Sequence, residues 1–220
     1  MKKYTIVASL ICTFIGLGVS GYAQSLAFRK GSFQISVTEG NTFANYETQN
    51  DGNHYGEVQH IIGCRDPLQL EYGLTNHWGI GITSGADIYT IDPNKFYGLN
   101  VSNNQVKSIT SEFAVDASYH FFVTRITDIS AVLSYGGSTV TFKGNDGGDN
   151  PYSYNSSGNI VRCGLHGRFF VLGHFGIVAM FTAFSQTELP QVPKDYAGVR
   201  YSTTISGFAK EFGVCYRLKK

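Results

Sequence analysis

Behind an apolar start the chain falls into eight segments in which apolar and polar residues alternate. The connections alternate too: a long polar loop, a turn of a few residues, then a long loop again. Successive side chains of a strand point to opposite faces, so each segment resolves into two rows. An even number of antiparallel strands returns both chain ends to one side, with short turns there and long loops opposite. The pattern predicts an all-β chain: an eight-stranded antiparallel up-and-down transmembrane β-barrel of the bacterial outer-membrane kind. Its external loops are expected around Asn41 to Tyr55, Asp92 to Lys107, Lys143 to Gly158 and Glu188 to Tyr201.

The rows are clearest in the fourth segment, where Ile109, Phe113, Val115, Ala117, Tyr119 and Phe121 oppose Thr110, Glu112, Asp116, Ser118 and His120. The third opposes Trp78, Ile80, Ile82 and Ile88 to Gly79, Gly81, Thr83 and Asp87, and the sixth opposes Val161, Cys163, Leu165 and Phe169 to Arg162, His166 and Arg168. Phe33, Ile35 and Val37 against Gln34, Ser36 and Thr38, then Leu68, Leu70 and Tyr72 against Gln69 and Glu71, continue the scheme, as do Ile129 to Tyr135. The seventh, Ile177 to Gln186, is apolar on both rows and leaves its faces open. In the eighth, Lys210 falls in the row of Phe208, Phe212, Val214 and Tyr216. A lysine facing lipid at the bilayer midplane costs about 2–4 kcal/mol, so an interfacial position or a bulge is expected there. Pro67 lacks an amide donor, and a bulge is expected near Asp66 and Pro67 as well. Tyr72, Trp78, Tyr119, Phe121 and Tyr216 gather toward the short-turn ends, as an interfacial girdle does.

The first 23 residues read as a cleavable export signal: Lys2 and Lys3, an apolar run from Ile6 to Val19, then small residues at Gly21 and Ala23. Residues 24–220 are then the barrel domain, and no later stretch approaches the roughly 20 apolar residues of a spanning helix. Cys64, Cys163 and Cys215 lie in three different strands and read as space-filling residues rather than a disulfide framework. With a formal charge of +1 nothing points to nucleic acid, and no metal or cofactor motif is present.

The polar rows collect Glu71, Asp87, Glu112, Asp116 and Glu211 with Arg162, Arg168 and Arg217. The interior of an eight-stranded barrel is just wide enough for its own side chains, so these charges are expected to pair and plug the lumen. His120 and His166 lie in polar rows near the short-turn side, while His54 and His60 belong to the first loop region. Spacing alone assembles no nucleophile, base and orienting group, so no catalytic residue is assigned. Loop stretches such as Pro151 to Asn155 have the tyrosine and asparagine content of contact surfaces, and Asn145 to Asp149 reads as a flexible turn rather than a calcium loop.

These residues resemble the bacterial outer-membrane protein beta-barrel family of small eight-stranded barrels. The resemblance rests on Arg29-Lys30-Gly31, on Pro67 with Tyr72 to Gly81 over the first hairpin, and on Phe212 to Leu218 at the end. It implies a location and a fold and carries over no catalytic residues. Such barrels usually finish on an aromatic residue that the assembly machinery reads, whereas here Leu218 is followed by Lys219 and Lys220. The reading is a monomeric, non-enzymatic barrel with a structural or adhesive role through its loops. Its expected partners are outer-membrane lipids, lipopolysaccharide, the assembly machinery and an extracellular ligand. A narrow channel is the alternative, ahead of a lipid-modifying enzyme. A soluble ligand-binding barrel would require the apolar rows to point inward.

Overall fold

The computed structural model describes residues 26–50, 53–54, 58–91, 106–145, 151–171, 173–190 and 201–218. The export-signal residues, the Asp146 to Asp149 stretch and most loop tips lie outside the described residues.

The elements are β1 (Phe33–Asn50), β2 (Asn53–His54), β3 (Gln59–Arg65), β4 (Leu68–Gly73), β5 (Trp78–Ile91), β6 (Val106–Val123), β7 (Thr127–Asn145), β8 (Pro151–Phe170), β9 (Phe175–Pro190) and β10 (Tyr201–Leu218). β3 and β4 are the two halves of one stave, and β2 is a two-residue pairing at the top of β1. Eight staves therefore form the ring, all antiparallel, closed by β10 on β1. Partners followed round the wall from Phe33 run through Tyr72, Ile80, Ala117, Leu133, Cys163, Ala183 and Phe208 and return to β1 at Phe43, ten residues further along. That stagger over eight strands tilts them by roughly 40° to the barrel axis.

The short turns are built by local side chains. Thr75 Oγ1 accepts from the amides of His77 (3.1 Å) and Trp78 (2.9 Å), and Thr124 Oγ1 accepts from the amide of Thr127 (2.9 Å). Gly173 closes the turn before β9 at φ +74°, a backbone region that favours glycine.

The face pattern is inverted relative to a soluble protein. Val37, Ile82, Phe113, Leu133, Leu165, Ile177 and Phe212 are exposed, while Arg65, Glu71, Asp87, Arg168 and His120 are buried inside. This excludes the soluble ligand-binding arrangement, whose apolar rows would be interior. The girdle forms on the short-turn side, where the Trp78 and Tyr119 rings lie 5.0 Å apart and those of His174 and Tyr216 5.9 Å. The open faces of β9 resolve as well: Val178, Met180, Thr182, Phe184, Gln186 and Glu188 point inward.

Three expectations change. Pro67 makes no bulge, for Arg65 pairs with Gly40 and Asp87 while Leu68 pairs with Val37 and Ser84, one unbroken register on both sides. The neighbours bridge the gap: Thr38 N donates to Pro67 O (3.1 Å) and Asp66 N to Ala86 O (3.1 Å), so the proline costs the ladder one bond only. Lys210 likewise stays in register and outward. The register shift falls instead between His120 and Phe122, leaving Phe121 and Phe122 both exposed at the girdle. Finally, the wall runs further than the loops allow: β1 continues to Asn50, and β7 and β8 pair as far as Asn145 and Pro151. About 9–11 residues suffice to cross a bilayer, so strands of 16 to 20 residues project beyond the apolar belt on the loop side.

Replacing Pro67 with Ala restores the missing donor without moving the register. We expect a gain of about 1 kcal/mol, read as a raised urea midpoint of the barrel refolded in lipid vesicles. An unchanged or lowered midpoint would show that the proline ring contributes more by packing than the ladder loses.

Candidate functional site

The lumen is filled in layers, and the central one is organised by Arg65. Strand alternation aims Arg65 inward from β3, where it is 2% exposed. Its Nη1 donates to Asp87 Oδ2 (2.8 Å), its Nε to Glu211 Oε1 (3.0 Å) and its Nη2 to Glu112. Arg162, from β8, donates to Glu112 Oε2 through Nε (2.9 Å) and to Asp87 Oδ2 through Nη2 (3.1 Å). Asp87 and Glu112 thus each bridge two guanidiniums. Hydroxyls take remaining lone pairs, Thr42 Oγ1 on Asp87 (2.8 Å) and Thr38 Oγ1 on Glu211 (3.0 Å). Two arginines and three carboxylates from β3, β5, β6, β8 and β10 are joined across the bore in this way.

A second cluster lies nearer the short turns. Arg168 reaches Glu71 Oε2 (2.6 Å) and Asp128 Oδ2 (3.2 Å), and its Nη2 donates to Gln69 Oε1 (3.2 Å). His120 stands between the same two carboxylates, Nδ1 at 2.6 Å from Asp128 and Nε2 at 2.8 Å from Glu71. Carboxylates only accept, so the ring meets both by donating from both nitrogens. Asp116 is bound by Gln69 Nε2 (3.0 Å) and Thr83 Oγ1 (2.5 Å). Between the two clusters a cavity of about 20 Å³ is lined by Arg65, Gln69, Thr83, Arg162, His166 and Glu211, room for about one water molecule.

Ser118 Oγ lies 3.2 Å from His120 Nε2, and with Asp128 on the other nitrogen the order is that of a nucleophile, a base and an orienting acid. Two features work against that chemistry. Ser118 donates its proton to Glu71, which also occupies the Nε2 side of the ring. The opposite obstacle is steric, because Phe28 stacks on the imidazole at 3.4 Å between centroids and 8° between planes. The ring has neither a free lone pair nor an open face.

Phe28 belongs to a segment, residues 26–32, that enters the barrel below β1. Ala27 N donates to Thr124 O (2.7 Å) and Gln34 Nε2 to Ala27 O (2.9 Å), and Ala27 and Phe28 are fully buried. Gly73 is required by this close approach, since a Cβ there would lie 2.3 Å from Arg29 O. Arg217 serves the same seal: it donates to the carbonyls of Leu26 and Gly173 and lies 4.7 Å over the Phe170 ring. At the loop end the bore is apolar, filled by Tyr46, Ile61, Tyr89, Ile91, Val140, Phe184 and Ile205. Phe184 joins this layer to the charges below, with the Arg162 guanidinium 4.7 Å above its ring. Further out, Glu188 is held by Ser138 Oγ (2.5 Å) and Gln186 Nε2 (2.6 Å).

The eight charged residues singled out from sequence all face the lumen, in separate places, whereas His60 is exposed beside Asn45. Asp87, Glu112, Arg162 and Glu211 meet in the central cluster, and Glu71 and Arg168 in the lower one. Asp116 is bound by neutral groups, and Arg217 bonds main-chain carbonyls instead of the acids expected for it. Sequence reasoning missed Arg65, although Arg65, Gln69 and Glu71 share one row once Pro67 is read as part of the strand. It also passed over Asp128, which lies beside the Thr124 turn but is already the second residue of β7.

A closed ring of eight tilted antiparallel strands, apolar outside and polar within, is the fold of the small bacterial outer-membrane β-barrels. Known structures agree with this. Outer membrane protein OprG from Pseudomonas aeruginosa superposes with a TM-score of 0.53 at 12% identity, over 88% of this chain and 98% of OprG. Outer membrane protein AlkL, solved in DMPC bilayers, gives 0.51 at 11% identity, over 91% of this chain and 96% of AlkL. No family model matches the chain, and no curated protein matches it in sequence. At such identities the likeness is one of fold, and on that level it meets the resemblance drawn from the sequence.

Removing Arg65 leaves Asp87 and Glu112 on Arg162 alone and Glu211 with only the Thr38 hydroxyl. Arg65→Met should lower the stability of the vesicle-refolded barrel by about 3–5 kcal/mol, and Asp116→Asn by far less. Equal urea midpoints for the two variants would remove Arg65 from the centre of the network.

Proposed function

We propose that this chain is a non-enzymatic outer-membrane barrel with a closed lumen, whose work is done on its external face. The observation that carries the reading is the stack of four fillings in one bore: the Phe28 segment, the Arg168 cluster, the Arg65 cluster and the apolar layer around Tyr89 and Phe184. Each spans the barrel from wall to wall, and the cavity between the charged layers has the size of a water molecule rather than of a solute. A steady ion path would have to break ion pairs in two layers and displace packed rings in two more. Leaving one buried charge unpaired already costs several kcal/mol.

The apolar belt supports an outer-membrane location, and the long strands support the external role. They carry a wall of Ser, Thr and Asn on β7 to β10 above the belt, including the Thr141 to Asn155 side-chain bond at 2.8 Å. Such a rigid polar collar holds the four loops apart and fixes their spacing, which suits adhesion or ligand contact better than transport. The non-enzymatic reading is supported by His120, which is covered by Phe28 and saturated by Glu71 and Asp128.

Single-channel recording of the refolded barrel in a planar bilayer tests the closed lumen. Folded protein, shown by heat-modifiable gel migration, should give no steady current steps. Reproducible steps would overturn the closed lumen in favour of a narrow channel.

A further inference from the structure

The outward rows are apolar over most of the wall but are interrupted on one side. On β10, β1, the β3/β4 stave and β5, the exposed residues Lys210, Glu39, Asn41, Asp66 and Ser84 replace the hydrophobic side chains. The register puts Lys210, Asp66 and Ser84 at one height, with Asn41 just above that level and Glu39 just below it. Lys210 pairs with Asn41, and Asn41 with Cys64. The ladder climbs ten residues in one circuit of eight staves, slightly more than one residue per stave. Two staves on from Lys210, the residue level with it is therefore the outward one two places nearer the short turns, Asp66. The same construction on the rest of the wall meets Val115 on β6, Tyr135 on β7 and Phe181 on β9, all exposed and apolar.

This level lies roughly 15 Å above the Trp78 girdle, within a lipid-facing band about 25 Å tall. Charges there are costly unless they are paired. Lys210 turns its amine toward Phe43, 5.7 Å from the ring centroid. Among the described residues no ion pair reaches Lys210, Glu39 or Asp66. The Cα atoms of Lys210 and Asp66 stand roughly 12 Å apart across β1, and the Lys210 amine is turned to Phe43 on the loop side rather than to Asp66. Between them is a surface groove of about 540 Å³ lined by Glu39, Asn41, Phe43, Cys64, Lys210 and Phe212.

We propose that this face binds a second copy of the same chain. A two-fold axis along the membrane normal, passing at Asn41, has Lys210 one stave to one side and Asp66 one stave to the other at equal height. Rotation then sets Lys210 of each copy against Asp66 of the other, twice over, and brings the two Asn41 amides together on the axis. The patch is self-complementary in the way an isologous interface requires. Phe43 and Phe208, stacked at 5.3 Å on the loop side, and Phe212 below seal it from lipid. The sequence alone suggests a monomer, because the common height of Lys210 and Asp66 exists only in the closed, staggered ring.

The test is oxidative cross-linking of the full chain in isolated outer membranes, with Cys64 and Cys163 replaced by Ser. Asn41→Cys should give a disulfide-linked species of twice the chain mass, at least tenfold more abundant than from Leu133→Cys on the opposite stave β7. Adding Lys210→Asp should lower that yield severalfold, and adding Asp66→Lys to the same protein should restore it. Glu39→Cys, lower on the same stave, provides a second reporter if Asn41→Cys fails to fold. A yield from both reporters no higher than from Leu133→Cys would overturn the proposal and leave the patch covered by lipid. Cross-linking that ignores the charge exchange would overturn the Lys210 to Asp66 pairing.

Discussion

Charges inside an eight-stranded barrel are cut off from bulk water on every side, so they persist only by finding one another across the bore. Here that requirement converges on Arg65, whose three donor groups face three carboxylates from β5, β6 and β10. The arginine fork suits this place, since it presents several donors in a fixed plane and retains its charge when buried. Because the carboxylates it holds stand on different staves, the same contacts that neutralise charge also tie the wall across its diameter. Backbone ladders join each strand to its neighbours only, and the Arg65 and Arg168 clusters supply the transverse bonds.

The remaining features follow from a bore occupied in this way. The apolar layer on the loop side and the Phe28 segment on the turn side close the ends, keeping water from the ion pairs and so strengthening them. On the function proposed, a lumen committed to such packing leaves the work to the outer surface. On that surface the belt is continuous over the wall opposite β1 and broken at Glu39, Asn41, Asp66 and Lys210. Inside, buried charge is answered within one chain, and outside, in the proposed dimer, by a second copy.

Much of the architecture was legible in the sequence because period-two alternation is a local property. Each segment declares its faces, and the order of turns and loops declares the ring. What escaped depends on distant neighbours. Pro67 signals an interruption by its own chemistry, yet β1 and β5 hold it in register through Thr38 and Ala86, and the error concealed Arg65. The loop boundaries were placed too low because a polar strand above the belt has the composition of a loop and is recognised only by its partners, as at Thr141 and Asn155. Arg217 lies in the expected row and depth, but its acceptors are carbonyls of the entering segment, which no pattern within β10 reveals. The partition of the charges into two clusters likewise depends on the stagger, which fixes which inward residues share a height.

The central claim, that transverse pairing through Arg65 holds the barrel together, is tested most directly by a double-mutant cycle on Arg65 and Glu112, using Arg65→Met, Glu112→Leu and the double variant in vesicle-based urea unfolding. A coupling energy above about 2 kcal/mol is expected, because either single change already breaks the Arg65–Glu112 ion pair and the double variant loses it only once. A coupling near zero, with the two losses simply adding, would contradict it.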